Sequence, residues 1–561
     1  MASANSQLLE MLGAESAPQR TLVEKFEWAI SQGPDAFNEL VLELQNSSPT
    51  FVEHSVTLGE ADALGHPPEN STLQPAISAV FGEQLPYYLK KTPDDVAERM
   101  LQDGEKLAAL TAQMPVSEHV RFMRILKEEL HAVEEKIVLS IMADTGKPIS
   151  LCRAEMVKGM KWFASLFENA EAQIANRKPI GTVQVTPSFN YPFAIGMAGV
   201  AGAGASGSPQ IIAGPLKASA WLFHAMDAVK NAIKRFEPDV KIMGQAFVEQ
   251  FNKLKHALIQ FNIGVSTPIT ENVKLEHFVG GEATGEIVEK QRGDKKTILE
   301  MGGPNTAMVM GDAVEDPAEA QKIIDMIYGK VAPAAGQSCT NLRRLIVLRC
   351  PAGTQFVEGL INKFETTDHH IGNPANKDTQ VGPVVDQRSF EGMKSTQRLA
   401  EKVGAYCSGM EVDVEKVPMA AYPNAQYAKP MVTVWDMPPL QDEELIVEIY
   451  DRFCTEYFAP ELQVIFVDSF EEGVAMAKFV DPKSRLTGAG FIKNPEQLKK
   501  YEEAVGVTNF GRNVLKSDAS PEGFHGHPGR LKIGGPTHYG MYCSDEQRPA
   551  VNAQELNLQL V

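Results

Sequence analysis

The feature that most constrains the fold is a repeated alternation of short apolar runs with segments of helical periodicity. Runs of strand character occupy residues 181–185, 209–213, 257–261, 277–279 and 296–300, and the pattern returns at 345–348 and 462–467. Strands that alternate with helices form parallel sheets, and ligands bind beyond the carboxyl ends of such strands. The sequence therefore predicts an α/β fold with two domains of this kind.

Length, composition and charge agree with a large globular protein. The chain has 561 residues, too many for one hydrophobic core, with 43% hydrophobic and 22% charged residues. Its formal net charge of −19 argues against a nucleic-acid partner, because binding to phosphates depends on lysine and arginine. No run is long and apolar enough for a bilayer, so we expect no membrane partner.

The cysteines and the first residues bear on the compartment. Six cysteines are scattered along the chain without CxxC or Cys/His ligand spacing, so we expect neither a disulfide framework nor a metal site. Glu10, Glu15 and a single basic residue, Arg20, make the first twenty residues unlike a secretory or transit peptide. A reducing compartment is expected, and the predicted localisation is cytoplasmic.

Three further stretches have a distinct character. In residues 1–85, turn-forming residues interrupt short amphipathic segments, which indicates an N-terminal appendage with some helix. Apolar residues at three- and four-residue spacing predict helices over 92–171. The stretch 198–209, rich in Gly, Ala and Ser, predicts a tightly packed helix rather than a linker.

The residues with the clearest chemistry are Cys339 and Glu300, each beside glycines and 39 residues apart (339 − 300). A thiolate can capture a carbonyl carbon covalently, and a carboxylate can then act as the base for hydrolysis of the captured acyl group. This pairing predicts a thiol-dependent enzyme. Alternatively, Cys339 is a small buried hydrophobe and Glu300 a strand-end carboxylate with a structural hydrogen bond.

From about residue 90 to 540 the chain resembles the aldehyde dehydrogenase superfamily. Each motif alone is a weak signal, but eight occur in the family's order. They are TGKP at 145–148, PSFNYPF at 187–193, GGEATG at 280–285, LEMGG at 299–303, GQSC at 336–339, GNP at 372–374, GP at 382–383 and EYFAP at 456–460.

The resemblance implies a fold and a set of catalytic residues. The implied fold is aldehyde dehydrogenase-like, with two Rossmann-like α/β domains and a small β oligomerisation element. Cys339 would be the nucleophile, Asn190 would stabilise the oxyanion together with the Cys339 N–H, and Glu300 would activate the hydrolytic water. The expected division is an appendage at 1–85, a dinucleotide-binding domain at 86–300, a catalytic domain at 301–515 and a C-terminal segment, a possible oligomerisation element, at 516–561.

The resemblance also implies NAD or NADP as cofactor and a small-molecule aldehyde as substrate. The glycines of the 280–285 segment would allow close approach to the pyrophosphate at a helix N-terminus. Glu456 would hold the nicotinamide ribose, and Phe458 would pack near the ring. The residues assigned to the cofactor are Gly280, Gly281, Gly285, Gly302, Pro215, Lys217, Glu456 and Phe458. A dimer or tetramer is expected.

Departures from the family pattern affect the residues that would bind the adenosine part of the cofactor. Where most members have Lys-Pro-Ser-Glu, this chain has Gly-Pro-Leu-Lys at 214–217, so a cation replaces a carboxylate at Lys217. That exchange removes repulsion toward a 2′-phosphate and favours NADP. Ala459 stands where a glycine is common. His525 and His527, in a Gly/Pro-rich loop, are interpreted as solvated.

The substrate class stays open in the sequence. Phe189, Tyr191, Phe193, Met197 and Phe510 could form apolar walls, although most stretches of this kind are simply core. A cation for a carboxylated aldehyde could come from Arg343, Arg344 or elsewhere in the fold. Two other functions remain open: a coenzyme A-acylating or reductive aldehyde dehydrogenase, and a non-catalytic dinucleotide-binding assembly protein. The presence of Glu300 favours release of a free acid, since acylating relatives generally lack this glutamate.

Overall fold

A computed structural model describes residues 21–58, 73–168, 170–174, 176–264, 266–436, 443–479, 486–507, 509–515 and 543–547. Two mainly parallel sheets with helices packed against them form the body of the protein. The predicted strands at 181–185, 209–213, 257–261, 277–279, 296–300, 345–348 and 462–467 each overlap an observed strand. His525 and His527 lie outside the described residues.

The described part of the N-terminal region contains three helices and an antiparallel sheet with the strand order β1-β3-β2. Its buried side chains, such as Phe37 and Phe51, belong to the same hydrophobic core as Leu126 and Phe223 of the following domain. The predicted boundary at residue 85 falls inside β3. The elements are α1 (Leu22–Gln32), α2 (Pro34–Asn46), α3 (Pro49–His54), β1 (Ser55–Thr57), β2 (Leu73–Ser78) and β3 (Glu83–Lys90).

The first large sheet has the strand order β7-β6-β5-β8-β9, and all of its strand pairs are parallel. Its strands are covered on both faces, which explains their nearly continuous apolar character. The elements are α4 (Asp94–Thr111), α5 (Val116–His131), α6 (Glu134–Thr145), α7 (Ile149–Glu168), α8 (Ala170–Ile174), β4 (Arg177–Pro179), β5 (Val183–Thr186), α9 (Pro192–Ser206), β6 (Gln210–Ala213), α10 (Ala220–Arg235), α11 (Val240–Met243), α12 (Gln245–Leu254), β7 (Ile259–Asn262), α13 (Thr267–Asn272), β8 (Leu275–Gly280), α14 (Glu282–Arg292) and β9 (Thr297–Met301).

Helix α9 confirms the prediction of a tightly packed helix in the Gly/Ala/Ser-rich stretch. All of its side chains are buried. Gly199 is a glycine for lack of space, because a Cβ there would stand 2.6 Å from the side chain of Val185 on β5. Pro192 starts the helix at a position where its missing N–H is not needed, and Gly207 ends it in a left-handed conformation.

The second large sheet has the strand order β12-β13-β14-β11-β10-β15-β16, and only the β12–β13 pair among these is antiparallel. Its elements are β10 (Thr306–Val309), α15 (Pro317–Val331), β11 (Arg344–Leu348), α16 (Pro351–Thr366), α17 (Gln387–Val403), β12 (Tyr406–Cys407), β13 (Met431–Asp436), α18 (Glu443–Cys454), β14 (Glu461–Val467), α19 (Phe470–Phe479), β15 (Thr487–Phe491), α20 (Pro495–Val505) and β16 (Asn509–Arg512).

The two sheets follow one another closely along the chain. Only residues 302–305 connect the carboxyl end of β9 to the amino end of β10. So short a connection places the carboxyl edge of the first sheet against the amino edge of the second. A separate antiparallel pair joins β4 to β17 (Cys543–Gln547). No helix of the described chain is long and apolar enough to cross a membrane.

Candidate functional site

The main cleft lies where the edges of the two sheets meet, and its volume is about 1040 Å³. Loops after β5, β6, β8 and β9 line one wall. Loops before β11 and β14 line the other. The three predicted catalytic residues, Cys339, Glu300 and Asn190, all line this cleft. The expectation that ligands bind at carboxyl strand ends therefore describes the first sheet and is wrong for the second.

The Cys339 loop, residues 333–341, has a strained backbone. Ala334 and Ala335 have φ angles of 52° and 53°, a left-handed conformation that is unfavourable for residues with a Cβ, and Gly336 follows with φ 67°. The Gly336 carbonyl accepts hydrogen bonds from Asn341 Nδ2 at 2.8 Å and from Arg343 Nη2 at 3.0 Å. A side chain at Gly336 would collide with the Ala459 carbonyl. The surrounding structure thus imposes a turn that the local sequence would not adopt alone.

Two buried arginines behind Cys339 hold this loop and its neighbour together. Arg343 donates to the carbonyls of Gly336 and Ala459. Arg344 donates to three carbonyls of the segment that leads into Glu456, those of Arg452, Phe453 and Thr455. Neither arginine lines the cleft. The idea that they supply a cation for a carboxylated substrate is therefore wrong, because both guanidinium groups bind backbone.

Cys339 lines the cleft with a half-buried side chain. Burial raises the pKa of Cys339 to about 12, and the carboxylates of Glu456 and Glu300 add to the rise. The positive charge of Lys330 lowers the pKa of Cys339. Lys330 Nζ donates to the hydroxyl of Thr340, the residue next to the cysteine, at 2.9 Å. A reaction at this thiol therefore requires removal of its proton by a nearby base.

Glu300 is the second-last residue of β9, and its carboxylate is buried on the cleft wall. Its Oε1 lies 3.5 Å from Nε2 of His277, a buried histidine on the neighbouring strand β8. This carboxylate and the thiol of Cys339 share one enclosed space and influence each other electrostatically. The sequence alone did not indicate His277.

Asn190 lies on the loop between β5 and α9, with its amide side chain buried on the cleft wall. Ser188 Oγ donates to Asn190 Oδ1 at 2.6 Å, which orients the amide group. Among the described residues, Nδ2 of Asn190 has no hydrogen-bond acceptor. A buried donor without an acceptor at the cleft is the arrangement that an oxyanion would satisfy.

A buried ion pair holds the Asn190 loop from behind. Lys147 Nζ lies 2.6 Å from Glu155 Oε2 and donates to the Asn190 carbonyl at 3.0 Å. Glu155 Oε1 accepts hydrogen bonds from the N–H groups of Phe193 and Ala194, in the first turn of α9. The TGKP motif at 145–148 contains this lysine. Its ion-pair partner and its contact with the Asn190 loop are evident only from the structure.

Glu456 faces Gly302 across the cleft. Burial raises the pKa of Glu456 to about 7, although Arg343, with Nε 3.4 Å from Oε1, lowers it. A Cβ at Gly302 would stand 2.6 Å from Glu456 Oε2. Gly302 is therefore required to leave room for this carboxylate. Phe458 packs edge to face against Phe189, with ring centroids 5.8 Å apart.

Most residues assigned to the cofactor line the same cleft: Pro215, Lys217, Gly280, Gly281, Gly302, Glu456 and Phe458. Gly281 is the residue before α14, so the N–H groups of the first helical turn begin at this point. Gly285 lies outside the lining and is buried, and a side chain there would collide with Met301 on β9. Its role in the structure is to let α14 approach the sheet closely.

Lys217 forms an ion pair with Asp386, which caps the N-terminus of α17 on the opposite wall. Although burial raises the pKa of Asp386, the hydrogen bonds from Lys217 and Ser389 hold it below its usual value. Lys217 thus places a cation on the cleft, with a carboxylate beside it. No sequence motif indicated Asp386.

The predicted apolar walls are mostly wrong. Phe189 lines the cleft, whereas Phe193 packs on Trp221 in the core and Met197 is fully buried. Phe510 packs against Tyr501 near the far edge of the second sheet. Aromatic residues of this kind cannot be divided into core and cleft from sequence, because both environments are apolar.

Comparison with known proteins decides the family. The family model described as "Aldehyde dehydrogenase family" matches residues 68–528, which is most of the chain. The chain belongs to the aldehyde dehydrogenase family. The predicted family and fold are confirmed, and with them the predicted class of activity, the NAD(P)-dependent oxidation of an aldehyde.

Individual relatives of the family are distant. A lactaldehyde dehydrogenase from Methanocaldococcus jannaschii is 24% identical over 56% of this chain and 66% of its own length, just under two thirds. The alpha-ketoglutaric semialdehyde dehydrogenase of Bacillus subtilis is 24% identical over 85% of this chain and 86% of its own.

Solved structures share the fold at low identity. The glyceraldehyde-3-phosphate dehydrogenase of M. jannaschii, complexed with NADP, has a TM-score of 0.66 at 20% identity, covering 81% of this chain and 92% of that one. A betaine aldehyde dehydrogenase of Staphylococcus aureus, complexed with NAD⁺, has a TM-score of 0.69 at 18% identity over 85% and 92%.

Proposed function

We propose that the protein oxidises an aldehyde to the free carboxylic acid, with Cys339 as nucleophile, Asn190 as oxyanion donor and Glu300 as general base. The observation that carries this proposal is the meeting of these three side chains on one cleft. They come from the loop after β5, from strand β9 and from the loop before β11, and 149 residues separate the first from the last (339 − 190). Their convergence is what covalent capture, oxyanion stabilisation and hydrolysis require together.

The chemistry starts at the thiol of Cys339. Glu300 removes its proton, and the thiolate adds to the aldehyde carbon to give a thiohemiacetal. The oxyanion is held by Asn190 Nδ2 and the Cys339 N–H. A bound NAD(P)⁺ would supply the hydride acceptor, so that loss of hydride from the thiohemiacetal carbon leaves a thioester on Cys339. Glu300 passes its first proton to solvent and then takes a proton from the water that attacks the thioester. That proton returns to the sulfur of Cys339 as the carboxylic acid leaves.

The residues present fit a dinucleotide. Glu456 is a carboxylate suited to accept hydrogen bonds from two ribose hydroxyls, and Gly302 leaves it room. Gly280 and Gly281 bring backbone near the start of α14, where N–H groups favour a pyrophosphate. Two solved members of the fold carry NADP and NAD⁺ respectively. The same cleft therefore has a place for the ribose and for the phosphates.

Lys217 supports a preference for NADP, since its ammonium group can pair with a 2′-phosphate. Asp386 partly offsets this charge, so the expected preference is modest. Replacing Lys217 by alanine is expected to lower the ratio of kcat/KM for NADP to that for NAD about tenfold. A wild-type enzyme that strongly prefers NAD would reject this part of the proposal.

Steady-state assays across short, aromatic and carboxylated aldehydes test the whole proposal. Cys339→Ala should lower activity by about four orders of magnitude or more, whereas Cys454→Ala, a second cysteine on the cleft, should keep it. Activity that survives Cys339→Ala would overturn the nucleophile assignment. Production of reduced cofactor only when coenzyme A is added would identify an acylating enzyme instead. No reduced cofactor with any aldehyde would favour a non-catalytic assembly protein.

Glu300→Gln tests the general base in both halves of the reaction. Its loss should slow steady-state turnover about 1000-fold and slow the first turnover as well, because Glu300 takes a proton from the Cys339 thiol and later from the hydrolytic water. Glu286→Gln, an exposed glutamate on the same cleft, is the matched control. Unchanged steady-state turnover in Glu300→Gln would contradict its role.

We propose that the protein is a homo-oligomer, a dimer or tetramer. The β4–β17 pair, which joins the chain's C-terminal part to the start of the first domain, is suited to extend into a β element between subunits. Light scattering on the full chain and on a version that ends at residue 515 should show a lower mass for the shorter protein. An unchanged mass would remove the C-terminal segment from the interface.

A further inference from the structure

A group of buried polar side chains lies beneath the dinucleotide half of the cleft. We call Gln184, Ser266 and Glu276 the acceptor floor. Gln184 on β5 and Glu276 on β8 are register partners on adjacent strands, and Ser266 precedes α13. All three line the cleft and are exposed by no more than 5%.

The hydrogen bonds of the acceptor floor end in atoms that accept. Gln184 Nε2 donates to Thr186 Oγ1 at 3.2 Å, and Thr186 Oγ1 donates to Glu276 Oε1 at 2.7 Å. Gln184 Oε1, Glu276 Oε2 and Ser266 Oγ have no hydrogen-bond partner in the described part of the chain. A buried polar atom left this way costs about 1–3 kcal/mol, so three together point to a bound polar group. Such a group would donate to Gln184 Oε1 and could accept from the hydroxyl of Ser266 and from a protonated Glu276.

The carboxyl group of Glu276 is not a simple anion. Burial raises the pKa of Glu276 to about 8, although the hydrogen bond from Thr186, the charge of Arg292 and an interaction with the Gln184 amide lower it. At neutral pH the group is therefore mostly a neutral acid, with an O–H donor beside an acceptor oxygen. Its complement is a neutral, planar edge that presents one acceptor beside one donor. The edge of adenine, with its ring nitrogen and exocyclic amine, has this pattern.

The position agrees with a nucleotide. Glu276 precedes Gly280, at the phosphate end of the cleft, by four residues of the same strand, or about 13 Å at strand rise. A base and a pyrophosphate of one nucleotide are separated by a ribose, which suits such a spacing. The apolar side chains of Ile287 and Val288 on α14 line the cleft nearby and offer surface for the faces of a ring.

We propose that Glu276, supported by Gln184 and Ser266, recognises the amine-bearing edge of the adenine base of the bound dinucleotide. This inference rests on the proposed cofactor and adds a specificity-determining residue to it. Thr186 and Thr270 hold the Gln184 amide, so its free oxygen accepts from the same amine. A base with a carbonyl in place of the amine would face acceptor against acceptor here.

The test measures binding rather than turnover. Titration calorimetry on the full-length protein compares AMP with IMP, which differ by the amine-for-carbonyl exchange at this edge. Wild-type protein should bind AMP about tenfold or more tightly than IMP. Glu276→Met should bring the two affinities within about twofold of each other. Glu276→Gln also presents a donor beside an acceptor, and it should keep the discrimination.

Two controls keep the result interpretable. Gln291→Met changes an exposed glutamine on the same cleft and should leave the AMP-to-IMP ratio unchanged. Thermal unfolding of each variant, and the rescue by Glu276→Gln, exclude a collapsed structure as the cause of lost discrimination. Equal binding of AMP and IMP by wild-type protein would overturn the inference, with water as the partner of the floor. So would discrimination that survives in Glu276→Met.

Failure of the cofactor proposal looks different. In that case neither AMP nor IMP binds, and no reduced cofactor forms from any aldehyde, which overturns both proposals together. If AMP binds and aldehydes are oxidised but the base is not discriminated, only the role of Glu276 is lost.

Discussion

The two walls of the cleft are built in opposite ways. The first sheet contributes the loops beyond the carboxyl ends of its strands, and the second contributes loops that precede the amino ends of β11 and β14. On the second wall, Arg343 and Arg344 direct their donors to backbone carbonyls. On the first, Asn190 and Glu276 keep buried atoms without partners among the described residues.

The buried polar side chains of the two walls have different effects on the protein. Charged side chains that bind backbone fix the position of a loop, and the strained turn before Cys339 needs such support. Buried polar atoms without partners destabilise the free protein and are retained where a ligand completes them. On our proposal, the second wall therefore holds Cys339 in place, and the first recognises what binds to it.

Arg343→Met tests whether the buried arginines stabilise the second wall. Removing a buried cation leaves Glu456 and two carbonyls without their donor, so we expect the free energy of unfolding to fall by about 3 kcal/mol. Urea unfolding followed by tryptophan fluorescence measures the change. Arg388→Met, an exposed arginine on the same cleft, should shift it by less than about 0.5 kcal/mol. A small effect at Arg343 would show that the wall is fixed by other contacts.

Asn190→Ala probes the opposite wall. Loss of one oxyanion donor should lower kcat about 100-fold. The free energy of unfolding should change by less than about 1 kcal/mol, because Nδ2 has no partner in the free protein. Ser188→Ala, which removes only the hydroxyl that orients the amide, should lower kcat several-fold. A large loss of stability with kcat preserved would make Asn190 a structural residue.

The reactivity of the Cys339 thiol tests the electrostatic effect of Glu456 on its pKa. The negative charge of Glu456 raises the pKa of the thiol, so Glu456→Gln lowers that pKa and increases the thiolate fraction at any pH below it. At pH 8 the rate of iodoacetamide modification should rise roughly three- to tenfold, half a unit to one unit of pKa. Glu286→Gln should leave the rate unchanged. A slower reaction in Glu456→Gln would reverse the assigned sign.

The smallest expected effect concerns the strained turn. Ala334 has φ 52°, so Ala334→Gly should raise the free energy of unfolding by about 0.5 kcal/mol. The same exchange at Ala320, inside helix α15, should lower it by about 1 kcal/mol. Urea unfolding of both variants checks the contrast in sign. Equal destabilisation would mean that the turn is not strained.

The five strands of the first sheet and the family could be predicted from the sequence, and the residues that we propose as catalytic were named from it. Each observed strand of the first sheet follows from a local run of apolar residues, as at Val183 and Ile298, and local patterns need no knowledge of distant partners. Cys339, Glu300 and Asn190 were named from short motifs for the same reason, since each motif is contiguous in the chain.

The residues that surround Cys339, Glu300 and Asn190 are known only from the tertiary structure. Arg343 was a candidate for binding substrate and instead binds Glu456 and backbone. Gly285 was a candidate for contact with the cofactor and instead makes room for Met301, and Glu276 was not singled out at all. A charged, small or apolar side chain has the same local signature in a cleft and in the core. Its role follows from long-range packing, above all from the four-residue connection that sets the carboxyl edge of one sheet against the amino edge of the other.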